Sequence, residues 1–298
     1  MQTFLQLSIA GVALGAVYGL IALGFVIIYR ATRVFNFAHG ELLMFGAFLM
    51  VTLLATGLPW VVALALAAVV TGLVGATFER TVLRRFVGRP IFVPIIITIL
   101  FAFVLRVAVV AIYGVERRGL RTPWEPTGAA HVGGVVVTYN RLATIVAASV
   151  ALYAVYLVLQ RTRIGVAMRA IASDQEAAMA TGVPVGRLIG ITWFLSGAAA
   201  AIAGVFLALF PRSVDPSLGF IALRAFPAVL VGGLDSPTGA VVAGLGLGVL
   251  EVLTQGYVNP QLGQFGQNLH TVLPYAVMIL VLMVRPYGLF GSAEIERV

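Results

Sequence analysis

The sequence predicts an all-α, polytopic membrane protein of about eight transmembrane helices with broken or re-entrant segments. Three observations predict it. Of 298 residues, 61% are hydrophobic and only 10% charged, too few charges to coat a soluble domain of this length. The apolar residues fall in runs close to the roughly 20 needed to cross a bilayer. Glycine and proline interrupt one of those runs, and backbone groups freed in this way must be buried in protein or face a wet cavity.

In chain order the runs lie at about residues 5–29, 37–57, 58–78, 91–113, 142–159, 188–210, 222–254 and 270–284. No basic stretch precedes the first, so it is expected to stay as a span rather than be removed as a leader. Small residues in GVALGAVYGL, SGAAAAIAG and AVVAGLGLG let helix backbones approach closely where lipid gives no hydrophobic drive to pack. The seventh run is too long for one span and is broken by GGLDSPTG at 232–239. It reads as a half-helix, a turn inside the membrane bearing Gly232, Gly233, Asp235 and Pro237, and a second helix. The whole chain, 1–298, reads as one transmembrane domain.

Arginines sort the loops by side. Arg30 and Arg33, then Arg80, Arg84, Arg85 and Arg89, then Arg161, Arg163, Arg169 and Arg187 mark three loops that are mutually consistent as cytoplasmic. The loop at 114–141 then lies outside despite Arg117, Arg118 and Arg121, offset by Glu116 and Glu125. If the seventh run dips in and returns, the C-terminus with Arg285 and Arg297 is cytoplasmic; if it crosses fully, the C-terminus is outside. The first arrangement is preferred.

Several chemistries are excluded. Cysteine is absent, which removes disulfides, thiolate metal sites and a cysteine nucleophile. His39, His131 and His270 lack the spacing of a metal motif. Every one of the 19 basic residues is arginine, so no Walker A lysine exists to reach nucleotide phosphates. Any ATP used must be hydrolysed on another chain. GLGLG at 244–248 lacks the full dinucleotide fingerprint and sits inside a span, and nothing points to nucleic acid as a partner.

Polar groups inside the apolar runs are the candidates for function, because ionisable groups at membrane depth are costly and usually serve a purpose. Asn36, His39 and Glu41 cluster at the entrance to the second run. They admit two readings: Asn36 caps the next helix with Glu41 near its positive end, or the segment is re-entrant and gates the inner end of a path. Arg106 must snorkel or meet a neighbouring helix. Arg224 and Glu251 flank the broken run and could pair with each other or steady it.

Residues 160–187, QRTRIGVAMRAIASDQEAAMATGVPVGR, are too polar to span. Their content predicts a short amphipathic helix stopped by Gly182 and Pro184, either resting on the lipid surface or docking a soluble partner.

Four stretches carry a resemblance. Glu176, Ala177 and Ala178, followed by Gly182, resemble the cytoplasmic EAA loop by which permeases of ATP-binding-cassette importers engage their ATPases. NFAHGEL at 36–42, FERTVLRRFVGRP at 78–90 and LRAFPAVLVGGLDSPTGAVVAGLGLGVLE at 223–251 are similar to signatures of the branched-chain amino acid permeases of the LivH type. The chain departs from the family pattern at Pro227, Ala228 and Asp235. The resemblance implies a permease without its own ATPase site, in the plasma (inner) membrane of a prokaryote. It also implies its partners: a second, homologous permease of the LivM type, two ATPase subunits that bind ATP and Mg, and an extracytoplasmic substrate-binding protein. The cargo implied is a branched-chain or other hydrophobic amino acid, with urea, short amides or aromatic carboxylates as the alternative. A more distant alternative is an ion-coupled secondary transporter. On this reading Asn36, His39, Glu41, Arg224, Gly232, Gly233, Asp235, Pro237 and Glu251 belong to the pathway or its gate. Arg169, Asp174, Glu176, Ala177, Ala178 and Gly182 belong to ATPase coupling.

Overall fold

A computed structural model describes residues 1–86, 89–90, 92–125, 128–132, 134–210 and 213–292; Arg297 lies outside them. The chain is helical and polytopic, with six helices long and apolar enough to cross a membrane among the described residues. They are α1 (Gln2–Thr32), α3 (Trp60–Thr81, carried on to Phe86 by a 3-10 turn), α4 (Phe92–Tyr113), α5 (Tyr139–Arg161), α8 (Val185–Ala208) and α11 (Pro237–Leu253, continued irregularly to Gly263). Shorter apolar helices include α2 (His39–Ala55), α9 with α10 (Leu218–Ile221, Phe226–Gly232) and α12 (Leu269–Val284). At about 1.5 Å per residue, the 22 residues of α4 reach the roughly 30 Å of a hydrocarbon core.

The residues divide into two compact units. One is built from 27–123 and 147–222. Its centre is α2, whose Leu42, Leu43, Met44, Ala47, Phe48 and Met50 are fully buried among α3, α4, α8 and α9. Small residues set the close contacts there: a side chain added at Gly72 would meet the Phe194 carbonyl at 2.7 Å, and one at Gly197 the Thr71 carbonyl at 2.8 Å. The glycines thus let α3 and α8 pack backbone to backbone, as helices in lipid must.

The other unit comprises 1–26, 124–146 and 223–298. Here α1 lies against α11 through glycines on both sides, with Gly15 set so that a Cβ would reach the Leu245 carbonyl at 2.7 Å. Residues 124–146 carry a hairpin that the valines and the turn glycine explain: β1 (Ala129–Val132) pairs with β2 (Val135–Thr138), and Gly134 turns at φ +79°.

The broken seventh run has a definite form. α10 ends at Gly232, Gly233 takes φ +102°, and Ser236 caps α11 by accepting from Gly239 N–H at 3.1 Å, with Pro237 at the first helical turn.

Candidate functional site

At the head of α2, a short turn brings polar groups into a dry interior. Asn36 is 1% exposed and His39 wholly buried. The capping expectation for Asn36 is corrected: the N-cap of α2 is Ala38, which makes no side-chain cap bond. Asn36 instead braces the turn before the helix, its Oδ1 accepting from Ala38 N–H at 3.0 Å. Thr98 on α4 accepts from Phe37 N–H at 3.3 Å, tying the turn to a neighbouring span. His39 Nδ1 lies 3.1 Å from the Ser196 hydroxyl of α8.

Glu41 does stand in the first turn of α2, but its partner is a side chain. Glu41 Oε1 is ion-paired with the Arg106 guanidinium of α4, and Arg106 lies 3.7 Å from the centroid of the Phe220 ring. Arg106 therefore meets a neighbouring helix rather than snorkelling away. Gly219 leaves room for the pair, since a Cβ there would sit 2.7 Å from Glu41 Oε1 and 3.0 Å from Arg106 Nη2 and would displace the ends of both side chains. Glu41 Oε2 and Asn36 Nδ2 are buried without a hydrogen-bond partner among the described residues. Buried polar groups of this kind are costly at membrane depth, so the cluster stays a candidate site.

The residues of the broken run that the sequence reading assigned to a pathway fall in the other unit. Gly233 permits the backbone of the segment after α12 to lie against the break: a Cβ there would meet Gly291 N at 2.6 Å, and Leu289 N–H donates to the Val231 carbonyl at 2.8 Å, while Gly232 packs on α11, where a Cβ would meet Ala240 N at 2.5 Å. Asp235 accepts from Ser292 N–H at 3.1 Å and from its hydroxyl, pinning the same segment. Glu251 is buried and accepts from the Tyr18 hydroxyl at 2.9 Å. The expected Arg224–Glu251 pair does not form among the described residues, because Arg224 sits exposed in a 3-10 turn while Glu251 turns toward α1.

Residues 163–187 form two helices where one was expected, α6 (Arg163–Ser173) and α7 (Gln175–Ala180). Asp174 is the reason: extended at φ −158°, it accepts from Ala177 N–H at 2.9 Å and so caps a new helix. Thr162 caps α6 in the same way through Gly165. The predicted stop at Gly182 has Schellman geometry, with φ +83°, Gly182 N–H bonded to Met179 O at 3.0 Å and Val183 N–H to Ala178 O at 3.1 Å. Ile171 and Ala178 sink into a core with Phe78, Leu83, Leu188 and Trp193. Arg169 donates to the Leu159 carbonyl, while Glu176, Ala177, Met179 and Gly182 are exposed.

The family model for "Branched-chain amino acid transport system / permease component" matches residues 7–282. This chain belongs to that permease family. The permease is 32% identical to the high-affinity branched-chain amino acid transport system permease protein BraD of Pseudomonas aeruginosa, over 99% of this chain and 98% of that one. LivH of Escherichia coli, a permease protein of the same description, is 30% identical over the same shares. A probable branched-chain amino acid transport permease LivH of Methanocaldococcus jannaschii is 28% identical over 91% and 88%. No solved structure matches.

Within the permease, sequence reasoning missed Tyr18, Ser196 and Phe220 as partners of the buried polar groups. A signal did exist for the ion pair: Glu41 is the one charged residue of α2 and Arg106 the one of α4. Opposite charges alone in two apolar helices invite each other. Among the described residues, no three His, Asp or Glu side chains gather as a metal site.

Proposed function

We propose that this permease carries branched-chain or similar hydrophobic amino acids inward across a prokaryotic plasma membrane, powered by ATP hydrolysis on partner chains. The observation that carries the reading is the match of family and relatives from one end of the chain to the other. The absence of lysine supports the division of labour, since this chain cannot build a Walker A loop. The partners are two ATPases with ATP and Mg, a second permease of the LivM type and an extracytoplasmic binding protein.

The exposed face of α7 suits a docking role. Ile171 and Ala178 anchor the segment in a packed core, so a push on Glu176, Met179 or Gly182 is transmitted to α3 and α8 rather than absorbed by a loose loop. Closure of the ATPase pair would then rock helices as rigid bodies. The polar cluster around Asn36, His39 and Glu41 serves as the gate, holding a closed path through the Glu41–Arg106 pair. A path with so few polar groups favours low affinity, leaving selectivity to the binding protein.

The test is uptake into proteoliposomes holding the permease with its cognate partners. Labelled leucine should accumulate only with ATP, and unlabelled leucine should compete where urea and benzoate do not. Competition by urea or benzoate alone would move the cargo to the alternative class; uptake driven by an ion gradient without ATP would remove the importer reading.

A further inference from the structure

α3 packs chiefly along α8, and α4 along α2. Between α3 and α4, Phe78 stacks on Phe101 with parallel rings and centroids 3.8 Å apart. The stack lies in a groove of about 690 Å³, open to the surroundings and walled by Leu73, Val82, Phe86, Ile97 and Leu100 among others. Thr81, also in the wall, keeps its hydroxyl on the Thr77 carbonyl at 2.7 Å, so the wall presents mainly hydrocarbon.

Arginines stand beside the α3 wall in sequence: Arg80 follows the wall residue Thr77 by three positions, nearly one helical turn, and Arg85 adjoins Phe86. Both arginines are exposed, and neither has an ion-pair partner among the described residues. Arg84, between them, is committed: it binds Glu79 at 2.8 and 3.0 Å and the Gly186 carbonyl. The groove therefore fits an occupant with a long apolar part and an anionic head. A packing helix fits it less well, since helix contacts in lipid favour glycine, alanine, serine and threonine, and the wall offers only Thr77 and Thr81 of these, the hydroxyl of Thr81 turned back onto its own helix.

We propose that this groove binds an anionic phospholipid, one acyl chain lying between α3 and α4 over the Phe78–Phe101 stack and the phosphate meeting Arg80 and Arg85. Basic residues beside apolar grooves at a membrane surface recognise such headgroups by this combination. These arginines are among those that the loop charges assign to the cytoplasm. The proposal is independent of the cargo and of the coupling scheme.

The experiment places the permease, purified with its partner chains, in nanodiscs of phosphatidylcholine mixed with phosphatidylglycerol and reads retained lipid by native mass spectrometry. The wild type should hold phosphatidylglycerol in preference to phosphatidylcholine. Arg80→Gln with Arg85→Gln should cut that preference about tenfold, and Leu100→Trp, which fills the groove from an exposed position, should reduce retention of both lipids. Thermal unfolding equal to wild type establishes that each variant is folded, and either variant alone suffices as a test. Equal retention of the two lipids by the wild type would overturn the proposal. So would unchanged retention in a folded variant, or a photo-crosslink from position 100 to another protein chain instead of to lipid.

Discussion

Glu41 on α2 and Arg106 on α4, 65 residues apart in sequence, form an ion pair roofed by the Phe220 ring. The pair leaves one Glu41 oxygen without a partner, so it is only partly compensated for its removal from water. Breaking it from one side strands the other charge. Glu41→Gln and Arg106→Gln are each expected to lower stability by about 3 kcal/mol, with the double variant losing clearly less than the sum. A double-mutant cycle on unfolding in detergent measures this; strict additivity would show that the two side chains act independently.

Gly219 guards the same pair. Alanine there would place its Cβ 2.7 Å from Glu41 Oε1 and 3.0 Å from Arg106 Nη2, at a cost of about 1–3 kcal/mol for overpacking. Transport by Gly219→Ala should fall with the pair. Undiminished uptake would separate the pair from the path.

The glycines between α1 and α11 make a contrast within one helix pair. Gly15→Ala brings a Cβ to 2.7 Å from Leu245 Cα, whereas a Cβ at Gly246 meets nothing within 4 Å. The first substitution should reduce folded yield and thermal stability. Gly246→Ala should be neutral or stabilise by about 0.5–1 kcal/mol through helix propensity. Equal effects at the two positions would contradict the packing described for α1 and α11.

Two substitutions in residues 163–187 separate structure from coupling. Glu176 is exposed in the first turn of α7, so Glu176→Arg should leave stability within about 0.5 kcal/mol while ATP hydrolysis no longer drives uptake. Gly182→Trp should uncouple as well, with a local strain of about 1–2 kcal/mol because φ is +83° there. The ratio of ATP hydrolysed to leucine taken up is the measurement. An unchanged ratio in both variants would remove the docking role.

Much of this architecture was legible in the sequence because lipid as solvent leaves few options: long apolar runs become helices, and Gly232–Pro237 breaks one where glycine and proline permit. The family was legible as well, since NFAHGEL and the residues around the break are contiguous strings that resemble its signatures. What escaped is what tertiary packing decides. Asp174 splits the single helix expected within residues 160–187 through one side-chain bond to Ala177 N–H, a choice that helix-forming content around it conceals. Glu251 turns to Tyr18 across 233 residues rather than to nearby Arg224, which local spacing favours. Asn36 braces a turn two residues before Ala38, a difference of register that residue type alone does not resolve.

The central claim is that this permease works as one part of an ATP-driven importer. Extraction of the tagged chain from its native membrane in mild detergent, followed by mass spectrometry of the proteins that come with it, tests that claim most directly. The account predicts a second permease and ATPases bearing Walker motifs, with the ATPases lost from the Glu176→Arg variant. A chain recovered alone, folded and active in uptake without ATP, would contradict it.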